Sequence, residues 1–365
     1  MSNATLDGAP IAVEDAYQHA AKILGGAKFP VVAGLATDAA GARAAILLAE
    51  RLRGAYDHMA SNDIFNDLDV TRSFGMFITT PGEARVRADV VLLVGPGLTD
   101  RWPAMFERLA LGAPARFNDA APRKILWLGP KRNEAKVDGV EIETVAATPQ
   151  TLPGLLAAIR ARVGGRPITL EGAAAKKIDA YAATLKAARF GAVVWSAGVI
   201  DGLTVEALQG LVTDLNVTTR FTGVPIGARG GASGVVQVGG WMTGFPPGTG
   251  FGRGYPEHDP WRFNAQRLVD SGEADAALWI SAYTGEAPNW TRDDVPLITL
   301  APKGAGAARG LYIEVGRPGE THDAVELAQE TSSFVLRRAK APGDAPTVAE
   351  AIAAISARFS EDVPC

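Results

Sequence analysis

Short runs of apolar, strand-forming residues alternate along this chain with segments whose apolar residues recur every three to four positions. No other feature limits the fold as much. Strands in a parallel sheet are buried on both faces, read as near-continuous Val, Ile and Leu, and need a crossover helix before the next strand can join. The runs Phe29 to Leu35, Val90 to Val94, Lys124 to Leu128, Ala192 to Ala197, Ala276 to Ser281, Pro296 to Leu300 and Leu311 to Val315 fit that description. Helical periodicity marks Val13 to Leu24 (stopping at Gly25-Gly26), Asp38 to Arg53, Trp102 to Leu111, Thr151 to Val163, Ala173 to Ala188, Thr204 to Leu215 and Val348 to Phe359. In Asp38 to Arg53, for example, Ala39, Ala42, Ile46, Ala49 and Leu52 share one face. This order predicts doubly wound α/β domains, and 365 residues are enough for two of them. No 20–50-residue period repeats, which excludes a solenoid.

Two stretches break the rhythm. Thr219 to Trp241 and Met242 to Pro260 are rich in Gly and Pro and carry aromatics, so they read as long loops. Such loops inside a compact domain are either functional or interface-forming, or else surface excursions with no ligand.

Composition removes whole classes of function. Charged residues are 21% and apolar ones 47%, and the 41 Gly and 23 Pro are about 18% of the chain, short of the low-complexity range. A balance of 36 basic against 40 acidic residues leaves no footprint for nucleic acid and no polybasic patch for a membrane surface. Apolar stretches such as Val90 to Val94 are too short to span a bilayer, and the first residues lack the basic and apolar regions of a secretory signal. A cytoplasmic globular protein is expected. Cys365 is the only cysteine, so this chain builds no internal disulfide, thiolate zinc site or iron–sulfur cluster. The histidines His19, His58, His258 and His322 are scattered without metal-binding spacing and read as surface or half-buried residues.

The candidate chemistry is sparse. Val94-Gly95-Pro96-Gly97 and Ser196-Ala197-Gly198 each follow a strand, where α/β sheets bind ligands, but neither completes GxGxxG and Pro96 lacks an amide for a phosphate. The glycines of Gly248 to Gly254 lack the strand-then-helix context of a phosphate loop, no GxxxxGK[ST] exists, and there is no GxSxG elbow. Asn62, Asp63, Asn66, Asp67 and Asp69 form an acidic cluster. It invites a divalent cation, while Ser61 and Asp63 serve equally as caps of a following helix.

Several segments together carry a resemblance. Gly41 to Asp63, Pro81 to Gly97, Asp214 to Phe221, Gly240 to Pro246 (GWMTGFP), Phe251 to Pro260 (FGRGYPEHDP) and Glu273 to Tyr283 run in the same order as in the B subunit of formylmethanofuran dehydrogenase. That protein belongs to the molybdopterin oxidoreductase superfamily. The resemblance covers most of residues 30–330 and implies two interleaved Rossmann-like domains. It implies a first domain at 1–86 plus 262–340, a second inserted at 87–250, and a C-terminal helical tail at 341–365. Redox members carry an N-terminal cysteine cluster for iron–sulfur, a cysteine that ligates molybdenum or tungsten, and a C-terminal barrel. Here no cysteine stands near the N-terminus, the ligand position falls on Asp63 when aligned through Gly75 and Gly82-Glu83, and one helix leaves no room for the barrel.

Loss of all three features fits the formyltransferase/hydrolase branch of this family, in which, as the resemblance implies, other chains do the chemistry. There a formyltransferase subunit moves the formyl group from formyl-tetrahydromethanopterin to a methanofuran-type carrier. A zinc amidohydrolase-like subunit releases formate, and the assembly is completed by a β-helical subunit. The expectation is a catalytically inactive structural subunit with no catalytic, cofactor-binding or metal-ligating residue, Asp63 being a position that has lost its role. Two alternatives stay open: a residual molybdopterin- or tungstopterin-dependent oxidoreductase ligated by Asp63, and a binding module that keeps the pterin cleft for the carrier. The aromatics Trp102, Trp241, Trp261, Trp279, Trp290, Phe245, Phe251 and Tyr255 are the interface candidates, with packing in the core as the alternative.

Overall fold

The computed structural model describes residues 4–117, 121–169, 172–305 and 309–359. The chain divides into two compact units, the first made of Met1–Ser61, Arg229–Leu327 and Phe334–Cys365, the second of Asn62–Ala228 and Ala328–Ser333. Cys365 lies outside the described residues.

The first unit is organised by a nine-stranded sheet in the order Glu257–His258, Thr249–Gly250, Ala55–Tyr56, Pro30–Ala36, Ala276–Ser281, Leu297–Ala301, Leu311–Glu314, Ala4–Leu6, Ala9–Ile11. The five strands from Ala55–Tyr56 to Leu311–Glu314 run parallel and the outer ones are antiparallel additions. Every residue of Pro30–Ala36 and Ala276–Ser281 is buried, as strands covered on both faces require. On one face the helices Val13–Gly26, Ala39–Arg51, Ala232–Thr243 and Val348–Ser356 bring Leu24, Ile46, Val235 and Ile352 against Leu278, Ile280, Ile298 and Ile313. The other face packs Phe263, Leu268 and Val269 against Val31, Ala33 and Trp279.

The second unit holds an all-parallel sheet in the order Ile142–Val145, Lys124–Leu128, Val90–Val94, Gly191–Trp195, Phe221–Pro225. The helices Leu152–Val163, Gly172–Lys186 and Gly202–Leu215 cover one face through Leu156, Ile159, Leu185 and Leu208. Ala84, Leu98, Trp102 and Met105 cover the other. Both units are thus doubly wound. The strand order reverses between Pro30–Ala36 and Ala276–Ser281 in the first unit and between Val90–Val94 and Gly191–Trp195 in the second. Ligands of such sheets sit at these reversals, beyond the carboxyl ends of the strands.

Several expectations need correction. Thr219 to Trp241 is not a loop: it holds the strand Phe221–Pro225 and most of the helix Ala232–Thr243. Glycine composition hid both elements. Gly231 and Gly244, both at positive φ, bound the helix, and Gly239 lets it lie so close to its neighbours that a Cβ there would meet the Phe245 carbonyl at 2.8 Å. Trp102 to Leu111 is no single helix either. Pro103 separates two single turns, Leu98–Arg101 and Met105–Arg108. The division of the chain falls at Ser61/Asn62 and Ala228/Arg229 rather than at 86/87 and 250/262, because Val70 of the helix Ser61–Phe74 packs into the second unit's core. The described residues after 340 pack against the first unit. Their helix Val348–Ser356 is closed by a Thr347/Glu350 capping box and buries Ile352 and Ile355 in the first unit.

Gly34 has φ +81°, next to Leu35 at +54°, and the pairing with Ala276–Ser281 shifts register at this point. A Cβ on Gly34 would stand 2.5 Å from the Ile280 carbonyl oxygen, backbone that cannot move aside. Gly34→Ala is therefore expected to cost at least about 2 kcal/mol, read as a lower denaturant midpoint of the purified chain.

Candidate functional site

In the first unit the reversal point opens between Thr37-Asp38, which follow Pro30–Ala36, and the residues after Ser281. Asp38 caps the helix Ala39–Arg51 by accepting from the Gly41 amide at 3.0 Å. A cleft of about 190 Å³ remains, lined by Asp38, Gly230, Gly231, Tyr283, Glu326 and Phe334. Tyr283 donates its hydroxyl to Glu326 at 3.1 Å, and Glu326 also takes Arg337 at 2.8 Å. Burial and that carboxylate hold the Tyr283 hydroxyl far above its ordinary pKa, so it remains a donor.

Beyond the short strand Ala55–Tyr56 lie Asp57, His58 and Ser61, all buried. They have the composition of a hydrolytic triad without its geometry. Asp57 accepts from the Ser61 hydroxyl and from the amides of His58 (2.9 Å) and Ala265 (2.8 Å). The His58 ring meets backbone only: Nδ1 accepts from the Ala60 amide at 3.0 Å, which leaves Nε2 to donate to the Gly230 carbonyl at 3.2 Å. Burial pushes Asp57 up to about 6 and His58 down to about 4, and His58 is therefore neutral at physiological pH. The His58 imidazole does not reach the Ser61 oxygen, whose proton is given to Asp57 instead, so the group ties loops together and lacks the Ser–His pair of a hydrolytic triad.

In the second unit the two glycine turns singled out above meet at the reversal point, and the chain's own atoms fill it. Gly97 (φ +70°) and Thr99 donate their amides to Glu134 at 2.9 and 3.2 Å. The Thr99 hydroxyl and the Lys131 amide reach the same carboxylate at 3.0 and 2.9 Å. A Cβ on Gly95 would meet Ile200 at 2.8 Å. On the opposite side Asp63, in the first turn of Ser61–Phe74, faces the Arg101 guanidinium at 3.5 Å, and Arg101 donates to the Gly198 carbonyl at 2.7 Å. Asn66 holds the Ala197 carbonyl at 3.0 Å, and the Trp195 indole donates to Asp67 at 2.9 Å.

A pterin dinucleotide fits neither place. The first cleft is smaller than the ~300 Å³ from which small-molecule sites usually begin, and the second is closed by Arg101, Ile200 and Glu134. Asp63, open between cap and metal ligand on sequence grounds, is half of an ion pair with Arg101. Among the described residues no group of three or more His, Cys, Asp or Glu is placed to hold a metal ion.

The aromatics divide. Trp102, Trp279 and Phe251 are core, and Trp290 packs edge-on against Trp279. Trp241, Trp261 and Tyr255 stay 66%, 72% and 52% exposed. His258 is half-buried as expected and stacks on Phe245, whereas His58 is a fully buried exception. Sequence reasoning missed Arg101 and Glu134, whose only signal was their proximity to glycine turns.

Burial, with a smaller contribution from the Asp63 charge, raises Asp67 to about 6 despite its Trp195 hydrogen bond. A carboxyl raised on folding binds its proton more tightly in the native state, so it favours folding in acid and that contribution is lost as pH rises through about 6. Asp67→Asn keeps an acceptor for Trp195 and removes the charge. It should stabilise the protein at pH 7.5 by up to about 3 kcal/mol, a gain that shrinks towards zero near pH 4 in denaturant titrations.

No family model matches the chain. It is 32% identical over 362 residues, 98% of its length and 97% of the other's, to the B subunit of the formyltransferase/hydrolase complex Fhc of Methylorubrum extorquens. It is 27% and 28% identical to the B subunits of the tungsten-containing formylmethanofuran dehydrogenases 2 of Methanococcus maripaludis and Methanocaldococcus jannaschii, covering 64% of each. Among solved structures it superposes on a chain of the M. extorquens formyltransferase/hydrolase complex (FhcABCD), crystallised with methylofuran, with a TM-score of 0.87 at 32% identity over 97% of this chain and 98% of that one. Agreement in sequence and fold over nearly the full length of both chains places this protein in the family of Fhc B subunits, within the wider kinship of the formylmethanofuran dehydrogenase B subunits.

Proposed function

We propose that this chain is a non-catalytic structural subunit of a cytoplasmic formyltransferase/hydrolase complex. Its partners in that reading are three other subunits: one zinc amidohydrolase-like, one β-helical and one a formyltransferase. They carry a formyl group from formyl-tetrahydromethanopterin, through a methanofuran-type carrier, to formate. One observation carries the inactive assignment: at the position where redox relatives place a metal-ligating cysteine, Asp63 is neutralised by Arg101. A redox role also needs an electron exit, and the sequence has no cysteine apart from Cys365 to hold a cluster.

The first unit's cleft of about 190 Å³ favours a second reading, a module that binds part of the carrier. A methanofuran-type carrier added to the isolated chain raises its melting temperature under that reading and leaves it unchanged under the first.

Molybdenum, tungsten and pterin content of the purified complex, normalised to this chain, tests inactivity directly. Less than about a tenth of an equivalent of each is expected, and near one equivalent overturns the assignment. Trp241, its ring tilted 46° against Phe334 at 4.9 Å, and Tyr255 are exposed enough that truncation should barely change the stability of the free chain, within about 0.5 kcal/mol. As interface anchors they should lose partner subunits in affinity purification when changed together to Ala. Full assembly by the double variant removes them from the interface.

A further inference from the structure

The misfit between this chain and a bound cofactor has a specific agent. We infer that Arg101 is the internal substitute for a ligand in the second unit, a positioning residue whose guanidinium bridges Asp63 to the turn after Gly191–Trp195 and closes the reversal point. The inference deepens the non-catalytic reading and rests on it only in assigning the crevice no ligand.

Arg101 ends the single turn that follows Val90–Val94, and its two terminal nitrogens work in different directions. Nη1 faces the Asp63 carboxylate at 3.5 Å, and Nη2 donates to the Gly198 carbonyl at 2.7 Å. One planar cation thus joins three pieces of chain: the helix Ser61–Phe74, the turn after one central strand and the turn after its neighbour. A bound cation at a reversal point would perform the same two tasks, compensating the carboxylate and tying adjacent turns. Both side chains of the pair are about three-quarters buried, exposed 25% and 24%, so the cation is held at partial desolvation. A fork-shaped donor suits such a site better than the point charge of lysine.

Gly198 carries the imprint of this arrangement. Its φ is not in the left-handed region, so its backbone does not demand glycine. A Cβ there would instead lie 2.5 Å from Asp63 Oδ2 and 2.6 Å from Arg101 Nη2. The missing side chain makes room for the ion pair.

The test follows from that imprint. In the full chain, purified with its partner subunits, Gly198→Ala should lower the melting temperature by about 2 °C or more. In an Asp63→Ala/Arg101→Ala background the same methyl group has nothing to strike and should cost less than half as much. Equal losses in both backgrounds overturn the inference. Where the double background does not fold, Arg101→Ala alone is used with methylguanidine as the probe. Saturable recovery of the melting temperature at low millimolar methylguanidine, absent in the unaltered chain, supports the bridge, and no recovery counts against it. Metal and pterin analysis of the unaltered complex is a separate measurement, so the non-catalytic reading can fail while the bridge stands, and the reverse.

Discussion

Parallel strands buried on both faces can offer chemistry only where they end. That constraint governs both units, because Pro30–Ala36, Val90–Val94, Gly191–Trp195 and Ala276–Ser281 have no exposed position along their length. All polar work is forced into the turns beyond them: Asp38, the Asp57–His58–Ser61 group, Gly95 to Gly97 and Ser196 to Gly198. Each turn is satisfied from within. Asp38 caps a helix, His58 holds the Gly230 carbonyl, Glu134 gathers the amides of the Gly95–Gly97 turn and its neighbours, and Arg101 ties the last. A buried polar group costs free energy unless it is partnered, so these closures are what allow the strand ends to be packed at all.

Most of the architecture was legible because burial writes itself into composition. Val90–Val94, Lys124–Leu128 and Ala276–Ser281 were marked residue for residue, since only a doubly covered strand reads as an unbroken apolar run. Phe221–Pro225 and Ala232–Thr243 escaped because glycine serves opposite ends. It signals turns when it stands at positive φ, as at Gly231 and Gly244, and close packing when it stands inside a helix, as at Gly239. Pro103 gave no warning that Trp102 to Leu111 would not be one helix, because proline is tolerated in a helix's first turn, as in Pro81–Arg87. The site was harder still. Asp63 meets Arg101 across 38 positions of sequence and Gly97 meets Glu134 across 37, and neither periodicity nor local motif encodes such pairings.

Kinship with the formylmethanofuran dehydrogenase B subunits and a full-length match to the Fhc B subunit describe one related set of chains. A fold survives changes in its site because strand burial, helix packing and turn geometry are carried by many residues, while a site is carried by few. The contacts among Asp63, Arg101 and Gly198 lie beyond the strand ends and leave the sheet beneath them untouched.

The discontinuity of the first unit bears on how the protein is made. Asn62–Ala228 is one continuous stretch, and its five strands have all emerged before the chain returns to the first sheet. Pro30–Ala36, by contrast, leaves the ribosome early and waits more than two hundred residues for Ala276–Ser281, its partner at the centre of the sheet. During synthesis a wholly apolar strand is left with an open edge while the inserted unit is already able to close. Such exposure of a parallel strand is the condition under which chains aggregate. The segment that most needs protection during synthesis is therefore Pro30–Ala36, which is made before the inserted unit and completed after it.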